Sequence, residues 1–223
     1  MIVWGGFTCN ACVRTGLFDG ARYNPATDSW TAISTGSAPS GRGNHSAVWT
    51  GTEMIVWGGD DDAVLTNSGG VYDPLSDTWS STDLISAPAD MRCHSAAWTG
   101  SEMIVYGGQG SSSLACGIGN TSTSAALYNP ASDSWVSMST LNAPTTGSNY
   151  SPAGAVWTGS EFIACFGNGA RYDPDTDTWT PMLTTGGSAC GGPAVWTGSR
   201  MVVWGGSGPT GNSNQGGVFD PGN

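Results

Sequence analysis

One stretch recurs along the chain and constrains every fold it could adopt. Between His45 and Trp79 it reads H-S-A-V-W-T-G-T-E-M-I-V-W-G-G, then twelve further residues, then Y-D-P-L-S-D-T-W. The same words return as HSAAWTGSEMIVYGG with YNPASDSW, as AVWTGSEFIACFG with YDPDTDTW, and as AVWTGSRMVVWGG with VFDP; the chain opens on MIVWGG with YNPATDSW. A unit this short cannot bury its own apolar face, so copies must stack to build a common core.

Within a unit four short strands are expected, here lettered a (HSAVW), b (EMIVWGG), c (GVYDP) and d (DTWS). Strands a and b are almost continuously apolar, as strands are when other sheets cover both faces. W-T-G-[ST]-E supplies a glycine turn from a to b. Between c and d, Y-[ND]-P-x-[ST]-D-[ST]-W supplies another, in which proline fixes φ and the Asp caps backbone amides. Four antiparallel strands recurring about every 50 residues describe a blade of a β-propeller.

The H-S-A-V-W words, the strand ending in G-G, and the spaced Tyr and Trp resemble kelch repeats. The resemblance covers essentially the whole chain and rests on four matching Trp positions in strand a and four in strand d. It implies an all-β, kelch-type β-propeller forming a single domain over residues 1–223. The copies fall at about 1–34, 42–82, 91–138, 150–182 and 190–221, giving about five blade equivalents: three complete four-stranded blades and two incomplete ones. The first lacks strand a and the last lacks strand d. Kelch rings are usually closed by one blade built from both chain ends, but these ends overlap in b and c. An arc of a larger ring is therefore favoured over five blades with two incomplete, since a missing innermost strand exposes an edge.

The charge excludes some partners. There is no lysine, and six arginines face 17 acidic residues, for a net charge of -11 and a pI near 4.1. Such a surface repels polyphosphate, so neither nucleic acid nor an anionic membrane is expected as a partner. No apolar run reaches the length of a membrane span. Met1 occupies the position of the repeat methionines Met54, Met103 and Met201, so no signal peptide is visible and the natural start is expected upstream. Six cysteines in a serine- and threonine-rich chain suggest an oxidising compartment, and sequence alone permits 15 pairings.

Antiparallel order puts the a–b and c–d turns on one face, and the b–c loops and d–a joints on the other. The turns are near-identical in every copy. The b–c loops vary, with 16, 12, 19, 4 and 12 residues between the closing glycine and the Tyr or Phe of strand c. Binding is usually carried by variable loops on a regular scaffold. All six cysteines map to this face, and their places suggest Cys9–Cys12 within one loop, Cys93–Cys116 and Cys165–Cys190. Cys9-x-x-Cys12 is read as a bridge rather than half a zinc site, because no second such pair or nearby His accompanies it.

All eleven tryptophans sit at repeat positions and are explained by packing between blades. Outside the repeat remain Phe7, Phe18, Tyr150 and Phe166, of which the first three are the better ligand candidates. Asp60, Asp61 and Asp62 lie in a variable loop and offer hard oxygen ligands, with a solvated acidic tip as the plainer reading. Glu53, Glu102 and Glu161 each close the same turn in different blades and are structural, as are Asp28, Asp77, Asp133 and Asp177. His45 and His94 begin adjacent innermost strands with Tyr150 beginning the next, a set that could hold copper or zinc. That would resemble galactose oxidase, but neither the pair of tyrosine ligands nor a cysteine placed for a tyrosine crosslink is present, and the Arg42-x-x-His45 spacing also fits a structural kelch position. The triplets at Asn44, Asn120 and Asn149 read as glycan acceptors only in a eukaryotic secreted protein; the repeat wording resembles bacterial kelch proteins.

No Ser-His-Asp order, phosphate loop or metalloprotease helix appears. The reading is a non-enzymatic extracellular, periplasmic or cell-surface module, without cofactor, that recognises protein or glycan through its loop-bearing face. Two alternatives stand beside it. One is a kelch-type enzyme with a site at the channel mouth, resembling galactose oxidase or sialic acid mutarotase. The other is a structural subunit of a larger assembly.

Overall fold

Every described element is a β-strand. The computed structural model describes residues 1–10, 13–61, 64–110, 124–144, 154–165, 169–182, 192–205, 207–208, 211–212 and 214–221. The first blade is a three-stranded sheet of β1 (Ile2–Trp4), β4 (Gly20–Asn24) and β5 (Ser29–Ala32), and between β1 and β4 stands a hairpin of β2 (Phe7–Asn10) and β3 (Val13–Gly16). The second blade orders β6 (Ser46–Trp49), β7 (Met54–Trp57), β10 (Gly69–Asp73) and β11 (Thr78–Ser81), with a hairpin of β8 (Asp60–Asp61) and β9 (Val64–Leu65) grown from its b–c loop. The third orders β12 (Ser95–Trp98), β13 (Met103–Tyr106), β14 (Ala125–Asn129) and β15 (Ser134–Ser137). The fourth orders β16 (Ala155–Trp157), β17 (Phe162–Ala164), β18 (Ala170–Asp173) and β19 (Thr178–Pro181). The fifth has β20 (Ala194–Trp196), β21 (Met201–Trp204) and β24 (Gly216–Phe219), with a hairpin of β22 (Ser207–Gly208) and β23 (Gly211–Asn212).

All pairings within blades are antiparallel, and the innermost strands β6, β12, β16 and β20 neighbour one another in order. The result is a five-bladed β-propeller rather than the favoured arc of a larger ring; among the described residues blades two to four have four strands, the first has no strand a and the fifth no strand d.

Period-two alternation along strand b assigns its side chains to opposite neighbours. The first and third residues point to the preceding blade, the second and fourth to the following one. Thus Trp4 packs with Met54 and Val56; Ile55 and Trp57 with Met103 and Val105; Ile104 and Tyr106 with Phe162 and Ala164; Ile163 and Cys165 with Met201 and Val203. Among the described residues these four clusters join successive blades, and none joins the fifth to the first.

A second device repeats at the rim. The turn Asp of each of the first four blades accepts a hydrogen bond from the Tyr of strand c: Tyr23 to Asp28, Tyr72 to Asp77, Tyr128 to Asp133 and Tyr172 to Asp177, at 2.6–2.8 Å. The same oxygen of Asp77, Asp133 and Asp177 accepts the amide of Ser34, Asp83 and Ser139, residues in the joint leaving the preceding blade. In return the indoles of Trp79, Trp135 and Trp179 donate to the carbonyls of those three residues. These Asp residues have φ of +46° to +56°, a conformation that Asp tolerates better than most side chains. The expected turn caps are therefore clasps between blades.

Candidate functional site

On the loop-bearing side, the β2–β3 hairpin leans on the second blade. The ring of Phe7 fills the space over Gly43, where a Cβ would come within 2.2 Å of it, and the Arg14 guanidinium lies 3.8 Å above that ring. The amide of Gly16 donates to Asp61 Oδ1 at 2.7 Å, tying the first hairpin to the β8–β9 hairpin. Phe18 is 55 % exposed beside this platform, its carbonyl accepting the Trp4 indole. Phe7 and Phe18 thus share one region, Phe7 half-covered and Phe18 open; Tyr150 lies outside the described residues.

The acidic loop is not a loose tip at its start. Asp60 is fully buried, bonded to Arg92 at 2.9 Å and to the Asn44 side-chain amide at 2.7 Å. This corrects its reading as a ligand residue: adjacent residues of a strand face opposite ways, so Asp60 points inward while Asp61 is exposed and holds the Gly16 amide. Asp62 lies outside the described residues. With its amide committed to Asp60, Asn44 is part of the fold rather than an open glycan acceptor.

Arg42 and Arg92 are both buried, and what they hold is backbone and loop. Arg42 donates to the carbonyls of Ser40, Gly58 and Ser68 and to the hydroxyls of Ser40 and Ser68, and burial pushes its pKa down to about 10. The isolated bridges Gly43 to Asp60 and Arg92 to Gln109 extend the same seam of contacts.

The histidines do not form an open metal centre. Each ring is edge-on to the strand-b tryptophan of the preceding blade, His45 to Trp4 at 5.3 Å and His94 to Trp57 at 5.2 Å. Each is also wedged against a glycine of the G-G pair, Gly5 for His45 and Gly58 for His94. His94 Nε2 shares a 2.7 Å hydrogen bond with Ser46 Oγ, while Nδ1 of both rings is buried without a partner. Desolvation, and then the charge of Arg42, lowers the His45 pKa to about 4; desolvation, and then His45, lowers that of His94 to about 3. Both are neutral packing groups at ordinary pH. Among the described residues no three His, Cys, Asp or Glu side chains converge.

Cys9 is an exposed free thiol, which corrects the expected Cys9–Cys12 bridge. The hairpin register sets Cys9 opposite Arg14 and Asn10 opposite Val13, so Cys9 has no cysteine across from it. Cys93 and Cys165 are buried and carry no free thiol. Cys12, Cys116 and Cys190 lie outside the described residues.

Among the described residues two cavities stand out elsewhere. One of about 370 Å³ is on the turn side, between Thr50–Glu53, Gly100–Ser101 and Asn129–Ala131. The other, of about 540 Å³, is lined by Met1, Ile2, Ala47, Val48, Trp49 and Met54, beside the β1 edge that a strand a of the first blade would cover.

The clasped Tyr–Asp–Trp rim, the G-G pair closing strand b and the four-stranded blades recur in step with the repeat, and a sequence model of the KLHDC2/KLHL20/DRC7 kelch-repeats domain matches residues 1–206. The chain belongs to the kelch-repeat family. No curated protein matches it. Kelch propellers commonly mediate protein interaction. Within this kelch scaffold, sequence reasoning missed the Asp60–Arg92 pair and the exposure of Trp30, Trp49 and Trp204. Only the second was signalled in advance, by the strands missing from the first and last blades.

Proposed function

We propose that the chain is a non-enzymatic, extracellular or cell-surface binding module that recognises protein or glycan through its loop-bearing face. The observation that carries this reading is the platform of the first two blades, where the β2–β3 and β8–β9 hairpins are tied through Gly16 and Asp61 and display Phe18, Phe7 and Arg14. An exposed aromatic beside a guanidinium on a rigid support suits aromatic-rich or hydroxyl-rich epitopes. Location outside the cytoplasm is supported by the lysine-free, cysteine-bearing composition and by the buried, non-free Cys93 and Cys165, for which we infer bridges to Cys116 and Cys190. Each closed loop would contribute roughly 3 kcal/mol.

The test is a glycan array and an array of secreted proteins, probed with the unaltered chain, with Phe18→Ala and Arg14→Ala, and with Glu53→Ala on the turn side. The reading expects binding that both loop-face variants weaken at least tenfold and Glu53→Ala leaves intact. Binding abolished only by Glu53→Ala, or catalysis of sugar mutarotation or copper-dependent oxidation by the unaltered chain, overturns it.

A further inference from the structure

At two junctions between blades an arginine reaches forward to the next turn; at a third a valine stands in its place while the arginine's partners remain. The second residue of strand c lies opposite the second residue of strand b: Arg22 opposite Ile2, Val71 opposite Ile55, Leu127 opposite Ile104 and Arg171 opposite Ile163. From that position Arg22 donates to the carbonyl of Pro74, in the c–d turn of the second blade. Arg171 reaches forward in the same way, its Nη1 3.3 Å from the carbonyl oxygen of Pro221 in the fifth blade. The same Nη1 lies 3.2 Å from Oε2 of Glu161, which closes the a–b turn of its own blade. One guanidinium thus joins the carboxylate of one blade to the proline carbonyl of the next.

Between the second and third blades both acceptors are present without the arginine. Glu53 repeats Glu161 and Pro130 repeats Pro221, while Val71 takes the position of Arg171 and packs into the core with Ile55 and Trp57. The cavity of about 370 Å³ opens there, lined by Glu53 and Thr52 of one blade and by Trp98, Asn129 and Pro130 of the next. The charge of Glu53 is felt across it: burial and Asp133 raise the Tyr128 pKa first, and Glu53 adds to the rise. No arginine of this sequence is left for the cleft. Arg14 lies over Phe7, Arg42 and Arg92 are buried against Ser68 and Asp60, and Arg200 pairs with Asp220. With Arg22 and Arg171 these are all six, and there is no lysine. The junction between the third and fourth blades differs, since the larger Leu127 packs there and Asp173 replaces Asn129.

From this we propose that the cleft between the second and third blades takes the arginine side chain of a partner polypeptide, its guanidinium standing where that of Arg171 stands in the fourth blade. The planar fork of the guanidinium donates to two acceptors at once, here the Glu53 carboxylate and the Pro130 carbonyl, and Trp98 offers it an aromatic surface. A polypeptide is the source because the lining holds no cation to take the carboxylate of free arginine. The net charge of -11 draws basic segments towards the molecule. A single arginine contact of this kind binds at about millimolar strength. The cleft is on the side of the short turns, away from the loop face, and neither reading depends on the other.

The test is a titration of the full chain in low salt, followed by NMR at the Trp98 indole. The probes are arginine blocked as its N-acetyl methylamide, the same derivative of uncharged citrulline, and free arginine. Two variants stand beside the unaltered chain: Glu53→Gln, and Val71→Arg, which gives the second blade the residue that the first and fourth carry. Circular dichroism shows whether both fold. Blocked arginine should shift the Trp98 indole and bind about tenfold or more tightly than blocked citrulline. Glu53→Gln should weaken it by about tenfold or more, and Val71→Arg should abolish it by filling the cleft from within. Absence of binding overturns the proposal, as does binding that Glu53→Gln or a folded Val71→Arg leaves unchanged. Free arginine bound more tightly than the blocked form overturns the assignment to a polypeptide. Should Val71→Arg not fold, Glu53→Gln and citrulline decide.

Discussion

Single residues in this protein are constrained chiefly by what they would leave behind. Asp60→Ala removes the carboxylate paired at 2.9 Å with Arg92, a guanidinium with no solvent exposure, so it should lower unfolding free energy by about 3–5 kcal/mol in denaturant titrations, whereas Asp61→Ala should cost far less. The two histidines set a pH dependence. Their folded pKa values, about 4 and about 3, lie below the ordinary 6.5, so the unfolded chain takes up protons first as pH falls. The histidine contribution should be flat above pH 6.5 and be lost from there down towards pH 3–4, before the Asp77 carboxylate, held low chiefly by its hydrogen bond from Tyr72, is protonated. Melting temperature against pH checks this, and His94→Gln should flatten the slope. Neither effect could be read from the repeat alone, because D-D-D and R-x-x-H look like surface and channel features until burial is known.

At the scale of the element, the recurring unit is a blade that is completed by its neighbour. Asp133→Ala removes the acceptor of both Tyr128 and the Asp83 amide and places Ala at φ +46°, so it should destabilise by about 1–3 kcal/mol. Asp28→Ala, whose carboxylate takes the Tyr23 hydroxyl and, among the described residues, no joint amide, should shift the denaturation midpoint less; the two midpoints compared in one buffer decide it. The G-G pair is fixed in the same way: Gly58 has φ +67° and a Cβ there would sit 2.7 Å from the His94 ring, so Gly58→Ala should be worse than any alanine in strand b that has room. The strands, turns and pairing order were legible in the repeat, since period two and the glycine and proline positions act locally. That the turn Asp reaches into the preceding blade was not, because a capping side chain looks the same in sequence whether its amide is local or some 40–50 residues away.

For the whole molecule, stability should fall off towards both ends. Each blade in a repeat array leans on its neighbours, and among the described residues the first and fifth blades have one packed side where the inner three have two. Hydrogen exchange should therefore show amides of β7, β13 and β17 opening last, and those of β1, β4, β21 and β24 opening at lower free energy; uniform protection would overturn this. The sequence by itself determined the all-β propeller, the five copies, two of them incomplete, and the division into a constant turn face and a variable loop face. Those properties follow from local periodicity and turn chemistry repeated until no other fold satisfies them. Only the tertiary structure decided that Asp60 is a buried counter-ion, that the histidines are neutral wedges and that Cys9 stands free. Each of these depends on which residues from distant copies meet and which are left facing water, and a repeat states the rule of contact without stating where the array of contacts ends.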